Sequence, residues 1–249
     1  MGELIKSMKK VLFILFFLIP LVASSQRIRV RNIPEHDHKA LHFGFTLGIN
    51  TMDFRISSSE YAVSEGFYGE VSTLSPGFNI NIVSNFRLSS HFDFRILPGV
   101  AFGQRRVDYY RIDGPGLPGS GDWDGRIEPR LAGSQELESS FLELPFIIKY
   151  KSVRIYNYRP YLIGGVNFRY DLARNYNETD EIFLSLNPFD LYMETGFGID
   201  FYLPYFRFST ELKYAVGFFD VFNRRGESQF ENSIERLKSN LLILSFHFE

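Results

Sequence analysis

A chain of 249 residues with a formal net charge of −2 and no cysteine has neither the basic excess of a nucleic-acid binder nor the thiols of a disulfide framework. Aromatic residues make up 17% of it, 27 of them Phe, yet the mean hydropathy is only −0.10. Apolar and polar rows that cancel in the average give that combination, and alternating strands supply such rows.

The predicted elements begin with an export signal over residues 1–25. Lys9 and Lys10 precede the apolar run Val11 to Ile19, which is followed by Pro20 and the small residues Ala23, Ser24 and Ser25. That is the order of a secretory signal peptide cleaved near Gln26, with Met8 as the expected start. The run is far shorter than the roughly 20 residues of a spanning helix, which argues against an uncleaved anchor, and no Cys follows it to take a lipid. Residues 26–40 then form a tail, and 41–249 a single domain without another apolar run long enough for a helical span.

The first strand of that domain, Leu41 to Asn50, sets Leu41, Phe43, Phe45, Leu47 and Ile49 against His42, Gly44, Thr46, Gly48 and Asn50. Taken alone, this alternation fits a soluble sandwich, whose apolar row is the core, as well as an outer-membrane barrel, whose apolar row faces lipid. Further alternating segments run over about Phe78–Leu88, His91–Gly103, Ser139–Lys151, Pro160–Leu172, Phe189–Phe201 and Tyr205–Phe218. The last closes the chain, with Leu242, Leu244, Phe246 and Phe248 opposite Ser245, His247 and Glu249. These make an even set of eight strands.

The connections alternate too. Short turns fall at Ser89-Ser90, between Lys151 and Arg159, and at Leu203-Pro204, whereas long connections cover about Arg55–Pro76, Gln104–Glu138, Ala173–Pro188 and Phe219–Asn240. Tight turns at one end and long loops at the other are the pattern of an outer-membrane barrel, with both termini expected on the periplasmic side. The polar row supports this choice, because Asp93, Arg95, Glu143, Lys149, Arg169, Glu194, Asp200, Arg207, Glu211 and Lys213 carry mixed signs that can pair inside a narrow, filled barrel. The penultimate Phe248 gives the final strand an aromatic end, although Glu249 follows it.

Two segments then resemble a known family. Phe141 to Tyr150, FLELPFIIKY, and Phe197 to Phe218, FGIDFYLPYFRFSTELKYAVGF, are similar to strands of the PorT-like small outer-membrane barrels of Bacteroidetes. Within that family, Ile33 to Phe54 and Asn232 to Asn240 resemble the PorT/SprT group, whose members are associated with type IX protein secretion and gliding motility. The resemblance implies a role in the export of proteins bearing a type IX signal, and it supplies no catalytic residue.

The residues that could carry chemistry are few. His36, His38 and His42 with Glu35 and Asp37 invite a metal reading, and closure of the barrel would bring His42 and His247 toward one another at the periplasmic rim. His-x-His in a polar tail is more often solvated, so no metal and no cofactor is expected. A lipid hydrolase would need a nucleophile and base at the external face, but all five histidines, His91 included, are predicted at the opposite end. Asp122 and Asp124 flank the only Trp in DGPGLPGSGDWDG, a loop that lacks EF-hand spacing and reads as turns. Phe230, Ile234 and Leu237 recur at helical spacing, which predicts a short amphipathic helix over the barrel mouth or offered to a partner.

The sequence therefore predicts an all-β, eight-stranded antiparallel transmembrane β-barrel of OmpA/OmpX-like architecture in the cell outer membrane, with catalytic, cofactor and metal sites all assigned to none. Its expected partners are outer-membrane lipid and other type IX secretion components. The alternatives are a barrel binding a ligand or adhesion partner through its loops, and a lipid-modifying enzyme.

Overall fold

The computed structural model describes residues 31–35, 37, 39–60, 62, 67–73, 75–112, 129–173, 185–223 and 232–249. The signal segment 1–25, His36, His38, Phe230 and the loop holding Asp122 and Asp124 lie outside the described residues. The elements in chain order are β1 (Leu41–Ser58), β2 (Phe67–Thr73), β3 (Pro76–Arg87), β4 (Phe92–Ile96), β5 (Gly99–Ile112), β6 (Pro129–Lys151), β7 (Tyr158–Asp171), β8 (Ser185–Leu186), β9 (Phe189–Tyr202), β10 (Arg207–Gly217), β11 (Phe222–Asn223) and β12 (Ile234–Phe248).

Antiparallel ladders join β1 to β12, then β10, β9, β7, β6, the β4–β5 pair and β3, which returns to β1. β4 and β5 are one wall strand broken at Leu97-Pro98. Proline has no amide for a ladder, and the break is held by Leu97 N donating to Pro145 O at 3.1 Å and Ile82 N donating to Pro98 O at 2.9 Å. Eight strand positions thus close into a ring, the transmembrane barrel the sequence predicts. Its closing ladder runs from Phe45 opposite Phe248 to Ser58 opposite Ile234. Closure satisfies the backbone of the first and last strands, which an apolar solvent requires.

The short turns and both the N-terminal tail and the C-terminus share one end of the ring, the turn end. The other is the loop end. Between them the outer wall is apolar, with Phe43 65% and Ile82 61% exposed, while Asn85, Lys149 and Glu194 on the inner row are fully buried. Aromatic pairs tile the outside across strands, among them Phe45 on Phe248 with centroids 4.9 Å apart and Phe208 on Phe246 at 6.2 Å. Inside, Gly198 admits a close approach, since a Cβ there would meet the Tyr161 ring at 2.4 Å.

The strands run further toward the loop end than their alternation predicts. β1 continues to Ser58, and β5 and β6 pair as far as Ile112 opposite Pro129, inside the predicted loop Gln104–Glu138. There the faces exchange. Phe54, Val107, Tyr109, Leu237 and Ile234 form an apolar cluster inside the ring, whereas Arg55, Glu136 and Glu138 are exposed outside. A correction follows for Ile234 and Leu237, which lie in β12 rather than in a helix. Ser57 pairs with Arg236 and Ser58 with Ile234, so Glu235 is an extra residue in the ladder. This β-bulge turns a period of two into a spacing of three and keeps both Ile234 and Leu237 inward.

Candidate functional site

Inward alternation of the wall strands places the polar row in the lumen, where it makes a stack of ion pairs rather than an open pore. Nearest the turn end, Lys151 Nζ meets Asp93 at 2.5 Å, and Asn85 also donates to that carboxylate at 3.2 Å. Lys149 Nζ spans both oxygens of Asp200 at 2.6 and 2.7 Å and sits 3.6 Å from the centre of the Tyr161 ring. Ser209 donates to the same carboxylate at 2.6 Å. Arg95 reaches Glu211 at 3.0 Å and Glu249 at 3.3 Å, and Arg207 pairs with Glu249 as well.

Further along the lumen, Arg169 lies between Glu143 at 2.9 Å and Glu194 at 3.6 Å, and Lys213 meets Glu194 at 3.2 Å. Asn167 donates to both carboxylates, at 3.3 and 2.7 Å, and Asn81 to Glu143 at 2.5 Å. Arg105 comes next, within 3.6 Å of Asp171, bonded to Ser239 at 3.1 Å and lying 4.2 Å from the Phe54 ring centre. Above it the apolar cluster around Phe54 and Leu237 closes the loop end. A water-sized cavity bounded by Arg105, Asp171, Asp190 and Tyr192 remains beside it. Among the described residues these side chains fill the lumen from the turn end to the apolar cluster, as the narrow interior of an eight-stranded barrel allows.

Every member of the predicted charge row is buried in this stack. Glu249 is the most instructive addition. Phe248 faces outward against Phe45, so the next residue falls inward, and its carboxylate is fully buried between two arginines. Lys151, Arg105 and Asp171 were missed as luminal members. They follow the same inward phase, which was the available signal.

The tail crosses the turn end through a polar clamp. The Asp37 carboxylate accepts from Arg154 and Arg159, each at 3.2 Å, and from the Tyr202 hydroxyl at 2.8 Å. Arg154 stacks on the Tyr202 ring at 3.6 Å. Asn32 N donates to Asn157 at 2.9 Å, and Asn32 Nδ2 donates to the Tyr202 carbonyl at 2.9 Å. Burial pushes the Asp37 carboxyl upward, but the hydroxyl of Tyr202 and the two guanidinium groups outweigh it and hold it below the ordinary carboxylate range.

The histidines do not converge. The register sets His247 beside Thr46, whose Oγ1 lies 2.7 Å from His247 Nδ1, whereas His42 sits opposite Asn85. Asp37, weighed as a metal ligand with His36 and His38, is engaged by arginines. Among the described residues no group of three or more His, Cys, Asp or Glu side chains could hold a metal.

A family model described as "Outer membrane protein beta-barrel domain" matches residues 23–223. No curated protein matches the sequence. Among solved structures, the crystal structure of Neisserial surface protein A (NspA) aligns with 84% of this chain and 98% of its own, at 10% identity and a TM-score of 0.37.

Proposed function

This chain belongs to the outer membrane protein β-barrel domain family, and on that premise we propose that it is a non-enzymatic accessory or assembly component of type IX protein secretion, also required for gliding motility. The filled lumen carries this reading. Ion pairs from Lys151–Asp93 to Arg105–Asp171, topped by the apolar cluster, argue against conduction, so the barrel acts through surfaces that other secretion components bind. The turn end, with the clamped tail, faces the periplasm in this proposal. The resemblance of the first strand and of Asn232 to Asn240 to PorT/SprT barrels supports the assignment to type IX secretion.

Deleting the gene and following export and surface display of type IX substrates tests the role. Loss of display with normal outer-membrane assembly of other barrels is the expected result, and unchanged export removes the proposal. Affinity capture from solubilised outer membranes through a tag on the tail would then name the contacting component.

A second reading, a barrel that binds a ligand or adhesion partner through its loops, draws on the wall that β2, β5 and β6 raise beyond the apolar belt. It predicts intact type IX export in the deletion strain together with loss of adhesion or ligand uptake.

A further inference from the structure

The clamp at the turn end divides into a part the barrel makes alone and a part the tail supplies. On the barrel side, Arg154 Nε donates to the Tyr156 carbonyl at 2.8 Å, and a terminal nitrogen of the same guanidinium donates to Asn157 Oδ1 at 3.3 Å. Tyr156 holds a φ of 54° where it presents that carbonyl. Tyr202 N donates to the Asn157 carbonyl at 2.8 Å, which fixes the ring on which Arg154 stacks. Arg159 is set opposite Asp200 by the ladder between β7 and β9. None of these contacts involves the tail.

The tail's part is strained. It crosses the turn end from Asn32, bonded to Asn157 and to the Tyr202 carbonyl, to Ala40, whose carbonyl accepts from Arg87 N of β3 at 2.8 Å. Between these points Ile33 takes a φ of 45°, a left-handed conformation that a β-branched side chain resists. Pro34 follows it and pushes that position toward extended backbone instead. Among the described residues, Ile33 and Tyr156 are the only non-glycine residues with positive φ, and both belong to this clamp. Such strain persists only where surrounding contacts hold it, and it collects at clamps and switches. The Asp37 side chain also keeps 20% of its surface exposed, against 4% for Arg154, so water reaches the carboxylate while its receptor is covered.

We propose that Arg154, Arg159 and Tyr202 form a carboxylate receptor for an acidic side chain of another polypeptide, and that Asp37 is its built-in competitor. Two guanidinium groups and a phenol hydroxyl converging on one point match the oxygens of a carboxylate. The receptor faces the mouth of the ring, because Asp200 and Tyr202 are buried inside while their neighbours Tyr158 and Phe201 are exposed on the outer wall. The ligand therefore comes from water at the turn end and not from the lipid headgroups around the wall. A passing chain fits, since the tail itself runs on both sides of Asp37. Displacing the tail frees Ile33 from its strained conformation, so the incoming carboxylate takes over the contacts of Asp37 while the strain is released. The site rests on the clamp alone and not on the type IX reading.

The test uses the full-length barrel refolded in nanodiscs of zwitterionic lipid, with a fluorescent peptide that alternates aspartate and serine as the probe. Asp37→Ala vacates the receptor and should tighten binding about tenfold over the parent chain, the gain expected when a competitor fills about nine receptors in ten. The same peptide with asparagine in place of aspartate should bind neither chain. Adding Arg159→Gln to Asp37→Ala removes one guanidinium and should weaken binding at least about tenfold. Should that double variant fail to fold, the contrast between the parent and Asp37→Ala, read with both peptides, still decides. Equal affinity of the parent and Asp37→Ala would overturn the proposal, as would binding of the asparagine peptide. Loss of peptide binding to Asp37→Ala when anionic phospholipid replaces the zwitterionic lipid would make a lipid phosphate the occupant and overturn it equally.

Discussion

The belt of the barrel and its loop end are built from the same strands with opposite polarity. In the lower part of β1 the inner row is His42, Thr46 and Asn50 and the outer row Phe43, Phe45 and Ile49; past Thr51 the inner row becomes Met52 and Phe54 and the outer row Asp53 and Arg55. β12 does the same in reverse, from His247 and Ser245 inside to Leu241 and Leu237 inside. The backbone continues without interruption, so the exchange records a change of solvent. Where lipid surrounds the wall, apolar residues go out and the lumen must neutralise its own charges. Where water surrounds it, the chain forms an ordinary apolar core.

The sharpest way to break the comparison is to leave a charge alone in the lumen. Lys149→Met strands the buried Asp200 carboxylate, and losing one partner of a buried pair costs about 3 to 5 kcal/mol. Removing both, as Lys149→Met with Asp200→Leu, should recover most of that loss, because the pair's burial is itself expensive. Urea unfolding of the refolded barrel, followed by its gel-mobility shift, measures both. Equal destabilisation by the single and double variants would contradict the ion-pair account.

The loop end should respond to cavities instead. Leu237→Ala empties space in a fully buried apolar cluster and is expected to cost about 2 to 5 kcal/mol. Leu242→Ala, on the lipid-facing row of the same strand and 48% exposed, leaves no cavity and should cost less than about 1 kcal/mol, on the same unfolding assay. A smaller contrast separates the outer faces. Phe45→Arg puts a cation in the belt at a cost of about 2 to 4 kcal/mol. Arg55→Glu beyond the belt should stay within about 0.5 kcal/mol. Yields of folded protein in the outer-membrane fraction distinguish them.

The same exchange of faces explains what the sequence made legible. Within the belt, one row is mainly Leu, Ile, Phe and other large apolar residues and the other mainly polar or Gly, with Val83, Ile147, Tyr161 and Ile163 as inward exceptions, so strand number, inside and outside, and the luminal charges could be read from residues such as Phe78, Asn79, Ile80 and Asn81. Past Ile49 the apolar row steps to the other face, and alternation counted from the lower strand breaks at Thr51 and Met52 although the strand does not. The alternation therefore places the ends of β1, β5 and β6 in loops, whereas the ladders continue through them. At Ile234 and Leu237 the bulge at Glu235 imitated helical spacing. The clamp was hidden for another reason: Asp37, the pair Arg154 and Arg159, and Tyr202 come from three separate stretches, and only the pairing of β7 with β9 brings Arg159 and Tyr202 together.

The smallest expected effect is at that clamp, which belongs to neither region and should report on the turn end alone. Asp37 is held ionised below its ordinary range. A carboxylate whose folded value is depressed adds stability that is fully present above its unfolded value, roughly pH 4, and is lost as pH falls through the folded value below it. Docking of the tail should thus be constant at neutral pH and fail only in acid. A nitroxide on Glu35→Cys, in a chain that has no other cysteine, should be immobile at neutral pH and become mobile as the pH drops below roughly 4. Asp37→Asn keeps the shape but removes the charge, leaving Arg154 and Arg159 without their shared partner. It should make the label mobile at every pH while the urea midpoint of the barrel is unchanged. A label that stays immobile in Asp37→Asn would show that Asn32, through Asn157 and the Tyr202 carbonyl, holds the tail by itself.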